Sequence, residues 1–284
     1  MKYLPGLENI IADYDVFVLD IWGTLHNGQQ IFPGVLPTLR AIQSAGKRAA
    51  LLSNSPSRLA SVTDRLAREF GITSNLYQAA HNSGESSYLG LRDRADAWHA
   101  RLGKNYYFIH APMHTRNYAD LPYRAVPLED ADFIVITKTL NANETLRDYE
   151  SPLRDAAHRG LPMLCCNPDR VVNNGDHLSI CPGTVAAFYE SIGGDVFYHG
   201  KPYEAVYHHL NAQLGAPDSG RILAIGDAFE TDIRGGNRMG WDTMLLMDGI
   251  HRAEIHPDHR VTDLTRLAEL HDAVPTYAMD QLRL

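Results

Sequence analysis

The stretch that decides the fold is Val16-Phe17-Val18-Leu19-Asp20-Ile21-Trp22-Gly23-Thr24. Its first four residues form an unbroken apolar run with no polar face, which suits a short strand buried on both sides. The run ends on an acid and then a glycine. A second run, Ala49-Ala50-Leu51-Leu52, ends on Ser53-Asn54-Ser55. Between them Leu36 to Ser44 reads as a helix stopped by Gly46; after them Leu59, Val62 and Leu66 at helical spacing mark another, stopped by Gly71. Ser55-Pro56 fits the start of that second helix, with proline at the first helical position.

The last third repeats the pattern. Asp195-Val196-Phe197-Tyr198 precedes a helix from about Pro202 to Leu214, and Ile222-Leu223-Ala224-Ile225 precedes one from about Asp232, with Met244-Leu245-Leu246 beyond. Strands alternating with helices at this spacing predict an α/β fold, a doubly wound parallel sheet with crossover helices on both faces. The middle has its own strand candidates, Tyr107-Phe108-Ile109 and Phe133-Ile134-Val135-Ile136, and a helix carrying Leu146, Tyr149 and Leu153. It reads as an inserted, smaller α/β domain over residues 82–181, with 1–81 and 182–284 forming the core.

Composition sets outer limits. With 284 residues, 44% hydrophobic and 21% charged, the chain is an ordinary globular sequence long enough for two modest domains. A net charge of -8 disfavours nucleic acid and anionic membranes as partners. The opening MKYLPGLENIIADYD lacks a signal-peptide pattern and an apolar run of spanning length, so the expectation is a cytoplasmic protein. Cys165, Cys166 and Cys181 make no C-x-x-C pair and read as buried small hydrophobes. The scattered histidines show no H-E-x-x-H spacing, and Gly193-Gly194 and Gly235-Gly236 form no dinucleotide-binding loop.

Open α/β sheets bind ligands beyond the carboxyl ends of their strands. The residues just after each apolar run therefore carry the candidate chemistry: Asp20, then Ser53-Asn54, then Lys201 before Pro202, then Gly226-Asp227 with Thr231-Asp232. Carboxylates suit Mg²⁺, which takes oxygen ligands and bridges to phosphate, while lysine and hydroxyl or amide donors neutralise phosphoryl oxygens. A carboxylate left facing phosphorus becomes a nucleophile. The chain has only five lysines, so one at a strand end beside this set is a strong signal.

On these residues the sequence resembles the haloacid dehalogenase (HAD) superfamily. Asp20-x-x-Gly23-Thr24 is similar to its first motif, Ser53-Asn54 to the second, Gly200-Lys201-Pro202 to the third and Gly226-Asp227-x-x-x-Thr231-Asp232 to the fourth. The insertion between the second and third motifs resembles the large α/β cap of the type IIA phosphatases, as do Gly226 to Ile233 and Asn167-Pro168-Asp169. The resemblance implies a HAD-like Rossmannoid core and a Mg²⁺-dependent hydrolase of a small phosphorylated metabolite, such as a sugar phosphate or nucleotide monophosphate, with the cap closing over the leaving group. Asp20 would attack phosphorus to give an aspartyl-phosphate, and Mg²⁺ would be held by Asp20, the backbone carbonyl of Trp22 and Asp227. Asp232 would support the metal's waters or Lys201. Ser53, with the Asn54 amide, would bind phosphoryl oxygens, and Lys201 would offset charge. Asn167 and Asp169 would lie where the chain returns from cap to core. Caps of this type often support homodimers, which the resemblance leaves open.

One position departs from the family pattern. Ordinary members carry a second aspartate two residues after the nucleophile, which protonates the leaving oxygen and then activates water. Here it is Trp22, whose indole N–H only donates. Three readings stay open: His26, on the expected flap over the site, supplies the proton; the leaving group needs none; or the protein is a catalytically impaired module that binds phosphorylated ligands without turnover. A carbanion leaving group ranks low, because Gly28 to Leu51 has room for one helix and not for the small cap of the phosphonate-cleaving relatives.

Overall fold

The computed structural model describes residues 1–139, 144–174 and 177–284. The apolar run becomes the strand Val16–Leu19, with all four residues buried. Burying four such side chains contributes about 1.5–3 kcal/mol each, which places this strand in the middle of a sheet. It lies between Arg48–Ser53 and Ile222–Gly226 in a seven-stranded sheet ordered Lys2–Tyr3, Tyr277–Met279, Asp242–Leu246, Ile222–Gly226, Val16–Leu19, Arg48–Ser53, Ala79–Asn82. Pairings from Lys2–Tyr3 through Arg48–Ser53 are parallel. Strand order therefore reverses direction at Val16–Leu19, the point where such sheets open a crevice at their carboxyl ends.

The first crossover helix spans Val35–Ser44 and buries Val35, Thr38, Leu39 and Ile42, one face of a 3.6-residue period. It stops at Gly46, whose φ of +70° lies in the left-handed region. The second helix spans Leu59–Phe70 and buries Leu66 and Phe70. Its start corrects the expectation at Ser55-Pro56: the Leu59 N–H donates to Glu85 Oε2 at 3.2 Å, so an acid distant in sequence caps it. Between the sheet and the helix Glu204–Gln213, residues Val18, Leu52, Ala224, Val206, Tyr207 and Leu210 form one apolar cluster.

The chain divides into two compact units, 1–53 with 60–81 and 201–284, and 54–59 with 82–200. The second carries a five-stranded sheet ordered Val196–Tyr198, Met163–Cys165, Phe133–Ile136, Asn105–Ile109, Arg124–Ala125, parallel in each pairing. Helices include Ser83–Asp93, Arg147–His158 and Pro182–Ser191, and the strands Val171–Asn174 and His177–Ile180 pair antiparallel. Its core gathers Tyr88, Leu91, Tyr106, Tyr118, Phe133 and Leu164.

The second unit runs past residue 181 to Gly200. Val196–Tyr198 reads as a core strand because it precedes Gly200-Lys201, yet it pairs in register with Met163–Cys165 of the second unit. Backbone pairing, invisible in the one-dimensional pattern, decides ownership. Asn167 and Asp169 accordingly lie well inside the second unit, which the chain leaves only at Gly200. The three cysteines are buried and free, and burial raises their thiols above the usual range. No helix among the described residues is long and apolar enough to cross a membrane.

His114 is buried in the second unit, between Ser57 Oγ at 3.1 Å and Thr137 Oγ1 at 3.0 Å. Burial, helped by Lys138 and His110, lowers its imidazole to about 4. Below the ordinary histidine value the unfolded chain binds a proton that the folded chain refuses, so stability is present at neutral pH and lost as pH falls through that window. Thermal denaturation should show a falling midpoint from about pH 7 to about pH 5, and His114→Gln should flatten part of the slope; an unchanged slope would contradict the assignment.

Candidate active site

Asp20 follows directly on Leu19, and its backbone N–H donates to the Ile225 carbonyl at 2.9 Å, extending the ladder by one residue. Asp227 leaves the neighbouring strand at the same sheet edge, since Ile225 pairs with Leu19. Asp232 sits four residues after Ala228 in the short π-helix Phe229–Ile233, and its Oδ2 accepts the Ala228 N–H at 3.1 Å. The topology thus delivers three acids to one point. Each offers a carboxylate oxygen within 4.8 Å of the others, and all three residues are buried.

Lys201 stands among them, 3% exposed. Its ammonium donates to Asp20 Oδ1 and to Asp232 Oδ1, the latter at 2.6 Å. Burial alone would lower the lysine, but Asp20 and Asp232 together outweigh it and hold the side chain protonated. Burial pushes the Asp20 carboxyl up to about 7, opposed by Lys201 and assisted by Asp232. Burial, with Asp20 and Asp232, lifts Asp227 well above the usual carboxylate range. With all three acids ionised, one ammonium would leave negative charge in excess in a desolvated place. A hard divalent cation with oxygen preference fits that donor set and cancels that excess.

Close approach of backbone to carboxylate makes the cluster possible. A methyl group on Gly23, whose φ is +85°, would stand 2.1 Å from Asp227 Oδ2. One on Gly226 would stand 2.1 Å from the Asp232 Cγ, and one on Gly249 2.2 Å from the Asp227 Cβ. The Ile250 N–H donates to Asp227 Oδ2 at 2.9 Å. Sequence reasoning missed this last donor, because any residue but proline supplies a backbone N–H; Gly249 after the run Met244–Leu246 was the available signal. Tyr207 was missed for a different reason. It reads as helix core, and its buried ring lines the same small cavity as Asp20, Lys201 and Asp232, with its hydroxyl donating to the Thr231 carbonyl at 3.3 Å.

The other expected residues are distributed differently. Ser53 is buried at the end of Arg48–Ser53, two residues beyond the Leu51 that pairs with Leu19, so it lies at the Asp20 edge of the sheet. Asn54 belongs to the second unit, where its Nδ2 donates to Asp169 Oδ1 at 2.8 Å. Trp22 is 41% exposed, and its ring covers Gly28, where a methyl group would meet it at 2.4 Å. His26 is not on a solvated flap. It is buried, stacked on Phe70 with ring centroids 4.2 Å apart, and its Nδ1 accepts the Gly28 N–H at 2.9 Å. Burial, reinforced by Arg65, lowers it to about 4, so its imidazole is neutral and committed to the loop. Apolar neighbours that only the tertiary fold brings together hold its ring.

Gly23→Ala combines a left-handed backbone with a collision against Asp227, and should cost about 1–3 kcal/mol in chemical denaturation, a loss that Gly46→Ala, facing open space, should show only for its backbone part.

Two family models match the chain: the haloacid dehalogenase-like hydrolase model over residues 17–110 and the HAD-hydrolase-like model over residues 198–273. These spans hold Asp20, Ser53 and Asn54 in the first and Lys201, Asp227 and Asp232 in the second. Chronophin of Bos taurus is 31% identical over 300 residues, covering 98% of this chain and 94% of its own. The 4-nitrophenylphosphatase of Schizosaccharomyces pombe is 25% identical over 291 residues, covering 92% and 96%. Among solved structures, a haloacid dehalogenase-like hydrolase from Brucella suis superposes with a TM-score of 0.83 at 25% identity, covering 98% of this chain and 99% of that one. With a HAD-type sheet, an inserted α/β unit and these relatives, the chain belongs to the haloacid dehalogenase superfamily as a type IIA capped phosphatase, a phosphoric ester hydrolase.

Proposed function

We propose that this phosphatase is Mg²⁺-dependent, works through an aspartyl-phosphate on Asp20, and prefers small monoesters whose leaving oxygen departs without a proton. The observation that carries the reading is the cluster of Asp20, Asp227 and Asp232 within 4.8 Å around a buried Lys201. Asp20, Asp227 and the Trp22 carbonyl would hold Mg²⁺, with Asp232 supporting it. Bound there, the cation supplies charge cancellation and polarises a phosphoryl oxygen.

The chain's own groups account for the remaining steps. Asp20 acts as nucleophile in its ionised form, which Lys201 favours by direct contact. As phosphorus is attacked, the Lys201 ammonium faces charge growing on the phosphoryl oxygens as well as the carboxylate. The Ser53 hydroxyl orients those oxygens. Hydrolysis of the aspartyl-phosphate by water then frees inorganic phosphate and returns the carboxylate.

The leaving-group preference stems from position 22. Trp22 holds no transferable proton at neutral pH, and His26 is buried and neutral with one ring nitrogen already accepting the Gly28 N–H. Proton transfer by a positioned side chain is worth about 10²–10⁴ in rate, so alkyl esters should lag aryl and acyl esters by a factor in that range. Sugar phosphates and nucleotide monophosphates are alkyl esters, and they would be slow substrates on this reading.

Phosphate release across alkyl, aryl and acyl phosphates, with and without Mg²⁺, tests this. Aryl and acyl turnover should require the cation, and Asp20→Asn should lower kcat by ~10³ or more. Equal rates on alkyl and aryl esters would refute the leaving-group preference, and full activity in chelator would refute the metal. His26→Phe should reduce stability while leaving the pH profile of kcat in place; a lost limb in that profile would restore His26 as a proton carrier.

A further inference from the structure

The segment after the strand Asp242–Leu246 touches the Asp227 loop at three successive points. Gly249 packs on the Asp227 Cβ, the Ile250 N–H donates to Asp227 Oδ2, and His251 Nε2 accepts the Phe229 N–H at 3.3 Å. The first two need only backbone. The third needs a particular side chain in a particular tautomer.

A backbone N–H can only donate, so His251 Nε2 must present its lone pair to Phe229. The ring's hydrogen then resides on Nδ1, which faces Glu254 Oε1 at 2.8 Å. A carboxylate accepts that hydrogen and fixes the tautomer, as carboxylates do for histidines whose other nitrogen has a fixed task. The ring is itself held edge-on to Phe229, centroids 5.2 Å apart, and beside His271 at 5.5 Å. His251 is 7% exposed, while the Glu254 side chain is 45% exposed and reaches it from the rim.

What the contact restrains is the start of the π-helix. Phe229 opens Phe229–Ile233, which carries Asp232, and lies two residues after Asp227. Holding the Phe229 N–H therefore pins the turn between the two acids, while Ile250 pins the Asp227 carboxylate itself. We infer that His251, oriented by Glu254, is a positioning residue that sets the spacing of Asp227 and Asp232 for the cation. This rests on the Mg²⁺ reading above and assigns no contact between His251 and the reacting atoms.

The test is calorimetric Mg²⁺ titration of the full-length protein without substrate, beside kcat and KM on an aryl phosphate. His251→Phe keeps an aromatic ring of similar shape and deletes the acceptor; it should weaken Mg²⁺ binding by roughly 10-fold, the lower end of what partners behind a metal site contribute. His251→Gln retains an acceptor of similar reach and should stay within about threefold of wild type, which a purely packing role would not predict. Glu254→Leu, altered at the exposed rim, should fold and weaken binding by about threefold or more through loss of the tautomer constraint, and it decides the matter if His251→Phe does not fold. The aryl phosphate KM should stay near wild type while the Mg²⁺ requirement rises. Wild-type Mg²⁺ affinity in both His251→Phe and Glu254→Leu would overturn the inference and leave the metal reading standing. Absence of Mg²⁺ binding by the wild-type protein would overturn both.

Discussion

A single ammonium group organises this site. Lys201 is buried between Asp20 and Asp232 and bonds to both, and breaking such a pair by removing one partner typically costs ~3–5 kcal/mol. Its protonation is maintained by the acids, and the ionisation of Asp20 is assisted by it. Everything else at the sheet edge is arranged so that this contact can exist: strands that end in register, glycines that admit carboxylates against backbone, and a π-turn that brings Asp232 back toward Ala228.

The same arrangement is electrostatically incomplete. One lysine does not balance three desolvated acids, and Asp227 makes no direct contribution to the pair, taking the Ile250 N–H instead. Burial accordingly raises Asp20 and Asp227, a stored cost that a divalent cation would relieve. Perturbed acids gathered at the carboxyl edge of a parallel sheet mark a candidate functional site.

Trp22 and His26 show how a loop can keep its shape while changing its chemistry. The tight turn after Asp20 is maintained by the Leu25 N–H to the Ile21 carbonyl, the Gly23 N–H to the His26 carbonyl and the Gly28 N–H to His26 Nδ1. Trp22 contributes its backbone and a ring that covers Gly28. The geometry that presents Asp20 is thus independent of an acid at position 22. Proton transfer is not, and on the proposed reading the chemistry shifts toward leaving groups that do without it.

Much of this was legible in the amino-acid sequence. The runs at Val16, Ala49, Ile222 and Met244 are apolar without interruption, which only strands covered on both faces tolerate, and they emerge as parallel neighbours. The polar residues that end them could only lie at one sheet edge, so Asp20, Ser53 and Asp227 were readable as one group, with Asp232 five residues further on; Lys201 was read with them because it follows Val196–Tyr198, a strand that in fact pairs in the other sheet. The sequence did not reveal that Val196–Tyr198 pairs outside the core sheet, that His26 stacks on Phe70, or that the Gly249–His251 segment holds the Asp227 loop. Each of these depends on contact between segments far apart in the chain, or on a backbone N–H that every residue shares. Local pattern determined which polar residues stand after the strands; three-dimensional packing decided how each is held, because burial and hydrogen bonding commit a side chain only once its neighbours are in place.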